Sequence, residues 1–436
     1  TKDYKTFGLY NRRPKKIKRS PEIFIEKRPE NIISASDKGH KMVLKKYDMG
    51  LISVTAMGIG SVVGAGIFAL LGEVILQAGN LSYYSFIIAG IAAMFSGYSY
   101  AKLSGKYPDS GGLTDYFKIA FKSRAVSGTF TLIYYITSFV SISMLAKSFG
   151  IYACKFLHDA AMEPVCVNYF ASGIIIALAI LNMMGADKVG NAETLMVAFK
   201  FFVLLSLIAG AFIELDVRSD KVDFMPTPTA FLGSIGITFF AYAGYGIITN
   251  AAADVKNPKF TIAAAIYLTI IIVALLYTSL AYIILKYIPE ADLTANADTA
   301  ITIAAEKLFG KWGYGIMFAA AIIAFISGIS ATYFSVFRIS YALAEQKIMP
   351  KIYHKRFWEH GTYGNALSVA VLTLATIYFD FNSIVNLASG AYLVSYLAVF
   401  AASWVLRRET GASPVLILLG SALMVFILVM FLANIY

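Results

Sequence analysis

Eleven apolar runs of roughly twenty residues each punctuate the chain, near 50–77, 82–106, 124–152, 167–185, 190–214, 228–252, 261–287, 312–342, 364–379, 383–405 and 413–436. A helix rising ~1.5 Å per residue crosses the hydrocarbon of a bilayer in about that length. Lipid gives the backbone no hydrogen-bond partner, so spanning segments must be helices or a closed barrel, and barrel strands read as alternating runs of about ten residues. Helices are therefore expected. With 58% hydrophobic and 14% charged residues, the 436-residue chain has too little polar matter to cover a water-exposed globule. The expected fold class is an all-α polytopic membrane protein with about eleven transmembrane helices.

Cytoplasmic segments retain Lys and Arg during insertion, so their distribution sets an expected orientation. With the N-terminus inside, 28 of the 37 basic residues fall in inner segments and 6 in outer loops; Lys147, Lys200 and Arg338 lie within spans. The opposite orientation is disfavoured. Residues 1–50 hold 14 Lys/Arg against 6 Asp/Glu, so +8 of the net +11 belongs to an N-terminal tail. A basic tail of that kind sets topology and attracts anionic lipid; it does not imply nucleic acid. The tail is not a signal peptide, since it lacks a short apolar stretch followed by a small-residue cleavage site.

The two cysteines, Cys154 and Cys166, stand twelve residues apart at the outer ends of the third and fourth spans. A disulfide is geometrically possible, but buried thiols are the commoner fate of cysteine in membrane helices, and that fate is expected here. No His/Cys/Asp/Glu cluster has metal-ligand spacing, and no nucleophile triad or phosphate-cradling glycine loop is evident. Neither a cofactor nor an enzymatic function is expected.

Two spans carry glycines where continuous helix is hardest to sustain. The first holds Gly58, Gly60, Gly64 and Gly66 within nine residues, with Ala65 between the last two, and the sixth holds Phe240-Ala241-Tyr242-Ala243-Gly244-Tyr245-Gly246. Glycines of this kind also serve close helix packing, which suffices for Gly60 and Gly64 taken alone. Paired interruptions five spans apart instead fit an inverted repeat of five plus five helices, with a binding site between the breaks. Unwound backbone suits a zwitterion, whose carboxylate meets free N–H groups at a helix start while its ammonium meets free carbonyls.

Lys200 lies well inside the fifth span, roughly 15 Å or more from either polar end. Snorkelling does not bridge that distance, so the side chain is expected to face the protein interior. Burial disfavours an ammonium, which makes Lys200 a candidate for gaining and losing a proton during transport; a permanently charged structural lysine tied to exposed carbonyls is the alternative.

Taken in order, several segments resemble the amino acid-polyamine-organocation transporters over roughly residues 46–436. These are Val63-Gly64-Ala65-Gly66-Ile67-Phe68, Tyr100-Ala101-Lys102-Leu103 through Tyr107-Pro108-Asp109-Ser110-Gly111-Gly112, Phe239 to Gly246 with Asp254-Val255-Lys256-Asn257-Pro258, and Arg338-Ile339-Ser340-Tyr341-Ala342-Leu343-Ala344-Glu345 with Met349-Pro350. The resemblance implies a LeuT-like fold and alternating access. Residues 49–214 would form the first repeat, 228–406 the second and 413–436 an additional C-terminal helix, after a cytoplasmic tail at 1–48. It also implies that backbone N–H groups at Ala65 and Gly66 hold the substrate carboxylate. Carbonyls at Val62, Phe240 and Ala243 would receive the amine, and the Phe240 ring would cover the substrate. Lys200 matches a lysine that occupies a sodium position in proton-coupled members; Gly60 and Ser327 join it as candidates for the coupling site, Ser327 as a polar wall, although helix packing explains a lone serine equally well.

Several positions depart from the family pattern. Ala65 replaces a common serine, Gly246 stands where some relatives carry glutamate, Ala263-Ala264 replaces a Pro-Arg pair, and eleven spans stand against the usual twelve. Neither glycine-interrupted segment offers a carboxylate for a substrate's distal positive charge, so neutral amino acids fit better than cationic ones. The expected function is proton-coupled uptake of neutral L-amino acids across a plasma or prokaryotic inner membrane. The alternatives are amino-acid exchange, movement of a cationic amine, and a nutrient receptor that binds without flux.

Overall fold

The computed structural model describes residues 49–63, 66–108, 112–157, 164–184, 189–213, 224–255, 257–358 and 361–435. Helix accounts for almost all of them. In chain order the helices are α1 (Leu51–Val63), α2 (Gly66–Ala78), α3 (Ser82–Lys106), α4 (Leu113–Ala120), α5 (Arg124–Leu157), α6 (Pro164–Met183), α7 (Val189–Ile213) and α8 (Pro228–Ala241). They continue with α9 (Pro258–Tyr287), α10 (Glu290–Ala295), α11 (Ala300–Glu345), α12 (Tyr363–Tyr378), α13 (Phe381–Val405), α14 (Arg407–Thr410) and α15 (Pro414–Ile435). Among the described residues nine helical stretches are long and apolar enough to cross a membrane, and α1 and α12 are shorter apolar helices. Splitting α2 from α3 at the 3-10 turn Gly79–Leu81, and joining α1 with α2 as one crossing, recovers the eleven runs of the sequence.

Helix starts follow local chemistry. Thr227 caps α8 by accepting from the Ala230 N–H at 3.2 Å, with Pro228 in the first turn, and Thr362 caps α12 by accepting from Asn365 at 3.1 Å. Asp380 caps α13, its carboxylate accepting from the Ser383 N–H at 3.0 Å and the Ser383 hydroxyl at 2.6 Å. The eighth apolar run begins earlier than hydropathy suggests. A helix from Ala300 joins the crossing through Gly310, whose φ of 63° turns the chain where any side chain would be strained.

Lipid tails are as apolar as leucine, so the helices are joined by close packing and polar pairs rather than by water exclusion alone. Ser85 and Ser234 link α3 to α8 at 2.8 Å, and Ser143 and Thr376 link α5 to α12 at 2.7 Å. The Lys147 ammonium, also within a span, donates to Asn168 on α6 at 2.6 Å. The expectation of free thiols is corrected: Cys154 and Cys166 form a disulfide between α5 and α6, with Cα atoms 6.1 Å apart. The two helices pack side by side, which brings the ends of their connection within bridging range.

Candidate substrate and coupling site

The sixth span is interrupted where its glycines predict. Regular α8 ends at Ala241, and the next N–H groups turn back by three residues, Tyr242 to the Phe239 carbonyl at 3.0 Å and Ala243 to Phe240 at 2.9 Å. Gly244 has φ +124°, a conformation that L side chains rarely adopt, and a 3-10 segment follows from Tyr245 to Asp254. In the first span helix runs to Val63 and resumes at Gly66; the predicted break at Gly64 and Ala65 lies outside the described residues.

The two spans meet at these points. The Ser61 hydroxyl donates to the Gly244 carbonyl at 3.3 Å. A Cβ on Gly66 would stand 2.5 Å from the Ala241 oxygen and 2.7 Å from its Cα, so only glycine permits this approach of α2 to α8. The Val62 carbonyl, expected to receive the substrate amine, here accepts from the Tyr277 hydroxyl of α9 at 3.0 Å. The same hydroxyl reaches the Ala241 carbonyl at 3.4 Å. One proton cannot fully serve two acceptors, so the shorter contact takes it.

Phe240 is buried with its ring centroid 5.0 Å from that of Tyr392 on α13. Ala243 is partly buried beside it in the chain, and the Phe240 carbonyl is engaged by the Ala243 N–H. Gly246 faces a different neighbour. A Cβ there would meet the Tyr100 ring at 3.1 Å, within a cluster formed by Tyr100, Tyr245 and Tyr396, and the Tyr245 hydroxyl is paired with Ser96. A glutamate at 246 would collide with Tyr100 unless the ring moved.

Lys200 on α7 is completely buried, and its ammonium donates to the Gly60 carbonyl at 3.0 Å and the Ser327 hydroxyl of α11 at 3.3 Å. Gly60 is required in its own right, because a Cβ there would lie 2.5 Å from a Val197 methyl on α7. Three residues predicted as a coupling group thus come together from the first, fifth and eighth spans, one helical turn before Val63. Sequence reasoning missed Tyr277. Its signal was a phenol in the middle of the apolar run Ile270–Leu285, where a hydroxyl must find an acceptor, but the chain order does not say which one.

A cavity of about 510 Å³ lies away from these residues, lined by Lys155, Asn296, Thr299 and Lys307 among others. Lys155 donates there to Asn296 at 3.0 Å and Thr299 at 2.8 Å, tying α5 to the segment before α11.

A helical bundle with an interrupted sixth span and a buried lysine bridging three helices is the setting in which family membership can be judged. The family described as Amino acid permease matches residues 49–436. The chain belongs to that family. Among curated relatives of this amino acid permease, the Inner membrane transport protein YbaT of Escherichia coli is 37% identical over 89% of the chain and 90% of the relative. The Branched-chain amino acid permease BcaP of Bacillus subtilis is 24% identical over 78% of the chain and 75% of the relative. The Cationic amino acid transporter 3, mitochondrial, of Arabidopsis thaliana is 24% identical over 81% of the chain and 61% of the relative. The protein is therefore a multi-pass membrane transporter of the amino acid permease family, not an enzyme.

Proposed function

We propose that this permease takes up neutral L-amino acids by alternating access, driven by protons. The observation that carries the proposal is the Lys200 ammonium, wholly buried and held by Gly60 on α1 and Ser327 on α11. A charged ammonium in that place grips the α1 carbonyl; a neutral amine donates more weakly, so protonation and the position of α1 are linked. Substrate binds next to that grip. Its carboxylate faces the start of α2 at Ala65 and Gly66, beside Gly64, and its ammonium meets carbonyls at Val62, Phe240 and Ala243. Phe240 covers it, with Gly244 giving the sixth span its bend and Gly246 following in the 3-10 segment. The site lies between two inverted repeats, 49–214 and 228–406, with 413–436 added and the tail 1–48 in the cytoplasm.

Neutral substrates are favoured because neither the 60–66 nor the 240–246 stretch contains a carboxylate to match a second positive charge. A relative named for branched-chain amino acids is consistent with this. The relative named for cationic amino acids keeps a second reading open, transport of a cationic amino acid. Counterflow in liposomes loaded with L-leucine or L-lysine separates the two.

The coupling test uses Lys200→Met, which keeps length and removes charge. In liposomes under an imposed pH gradient the wild type should concentrate L-leucine while the variant only equilibrates it. Undiminished accumulation by Lys200→Met means that the proton is carried elsewhere.

A further inference from the structure

A second concave site lies where α11 ends and α12 begins. Its cavity of about 260 Å³ is lined by Arg338, Arg356, Phe334, Phe337 and Tyr341. The two arginines come from separate elements: Arg338 from the last turns of α11, and Arg356 from a short hairpin closed by its bridge to Thr362. Each guanidinium lies over an aromatic ring. The Arg338 Cζ is 3.9 Å from the Phe334 ring centroid, and the Arg356 Cζ is 4.9 Å from that of Tyr341.

Stacking occupies the flat face of a guanidinium and leaves its in-plane N–H fork available, the geometry that grips phosphate oxygens two at a time. Among the described residues no carboxylate forms an ion pair with either arginine. Two cations converging on one cavity repel each other unless an anion joins them. The surroundings identify which kind of anion. Phe334 is 48% exposed, and Phe357 and Trp358 nearby are also exposed, so apolar rings continue outward from the basic pocket. A soluble anion has no use for that surface, whereas a phospholipid has acyl chains to lay on it.

We propose that Arg338 and Arg356 form a binding site for the phosphate of an anionic phospholipid, whose acyl chains run along the Phe334 face of α11. The site is independent of the substrate site and of proton coupling. It ties the end of α11 to the hairpin before α12, so lipid bound there stabilises that junction.

The test is native mass spectrometry of the purified full chain in an equimolar mixture of phosphatidylglycerol and phosphatidylcholine, paired with thermal unfolding in each lipid. The wild type should retain phosphatidylglycerol preferentially and unfold at a higher temperature with it. Arg338→Gln/Arg356→Gln should lose that preference by about fivefold per arginine. Lys118→Gln/Lys122→Gln, which removes the same charge outside the cavity, should keep it. Equal retention of both lipids by the wild type overturns the proposal whether or not the variants fold. So does an equal loss in the two double variants, which would reduce the effect to general surface charge. A thermal shift with inorganic phosphate matching that with phosphatidylglycerol assigns the site to a soluble anion instead.

Discussion

Tyr277→Phe should destabilise the protein and tighten its grip on an amino acid at the same time. The substitution removes only the hydroxyl. The ring, whose centroid lies 5.7 Å from that of Phe86 and 5.5 Å from that of Tyr242, keeps its packing. What disappears is the donor to the Val62 carbonyl at 3.0 Å and, at 3.4 Å, to Ala241. A buried acceptor left without a donor costs about 1–3 kcal/mol, so the unfolding temperature should fall. If the Val62 carbonyl also receives the substrate ammonium, the hydroxyl and the ammonium compete for it. The ligand then satisfies what the variant leaves empty, and affinity should rise by about 5- to 150-fold, nearer the lower figure where water reaches the carbonyl. Isothermal titration with L-leucine measures the gain, and 4-methylpentanoate, which has the same carbon skeleton without the amine, is the control. Leucine affinity that is unchanged or weaker in a folded Tyr277→Phe protein refutes the competition. An equal gain for the desamino acid would show that the ammonium is not the competing group.

Gly66→Ala places a methyl 2.5 Å from the Ala241 oxygen and 2.9 Å from its Cβ, contacts with backbone and a short side chain that cannot swing aside. Overpacking of that kind costs about 1–3 kcal/mol and should sharply reduce uptake in vesicles, whereas Gly173→Ala on α6, with nothing within 4 Å, should leave uptake intact. Reducing the Cys154–Cys166 bridge should lower the unfolding temperature by the equivalent of about 3 kcal/mol, and the same reductant should leave Cys154→Ala/Cys166→Ala unmoved. The Asp380 carboxyl is held below the usual carboxylate range by hydrogen bonds from the Ser383 hydroxyl and N–H. Its folded-state pKa is depressed, so the cap contributes fully above the ordinary carboxylate range and is lost as pH falls through the lowered value. The protection of the Ser383 amide, its exchange rate taken relative to that of an unstructured amide at the same pH, should fall in acid for the wild type, and should be low at every pH for Asp380→Ala, which loses ~1 kcal/mol of capping.

Much of this protein was settled by the order of its residues. Apolar runs long enough to cross a bilayer leave only helices, because lipid cannot satisfy a peptide group, and the eleven runs correspond to helices in the described residues. Lys200 was legible for the same reason: an ammonium that far from either polar end has to turn inward and find carbonyl or hydroxyl partners. Gly244 announced a bend, since its left-handed φ suits a residue without Cβ.

Which groups face one another across the bundle is another matter, because hydropathy records how deep a residue lies and not which neighbour it meets. Tyr277 is one phenol in a long apolar run, and only the packing of α9 against α1 delivers its hydroxyl to Val62. Gly246 reads as part of the bend, yet the turn of the 3-10 segment aims it at Tyr100. Cys154 and Cys166 read as thiols until α5 and α6 lie side by side. Periodicity and solvation are local properties that a single chain carries in its sequence, whereas partnership between helices depends on rotation and tilt, which are fixed only when every helix packs at once.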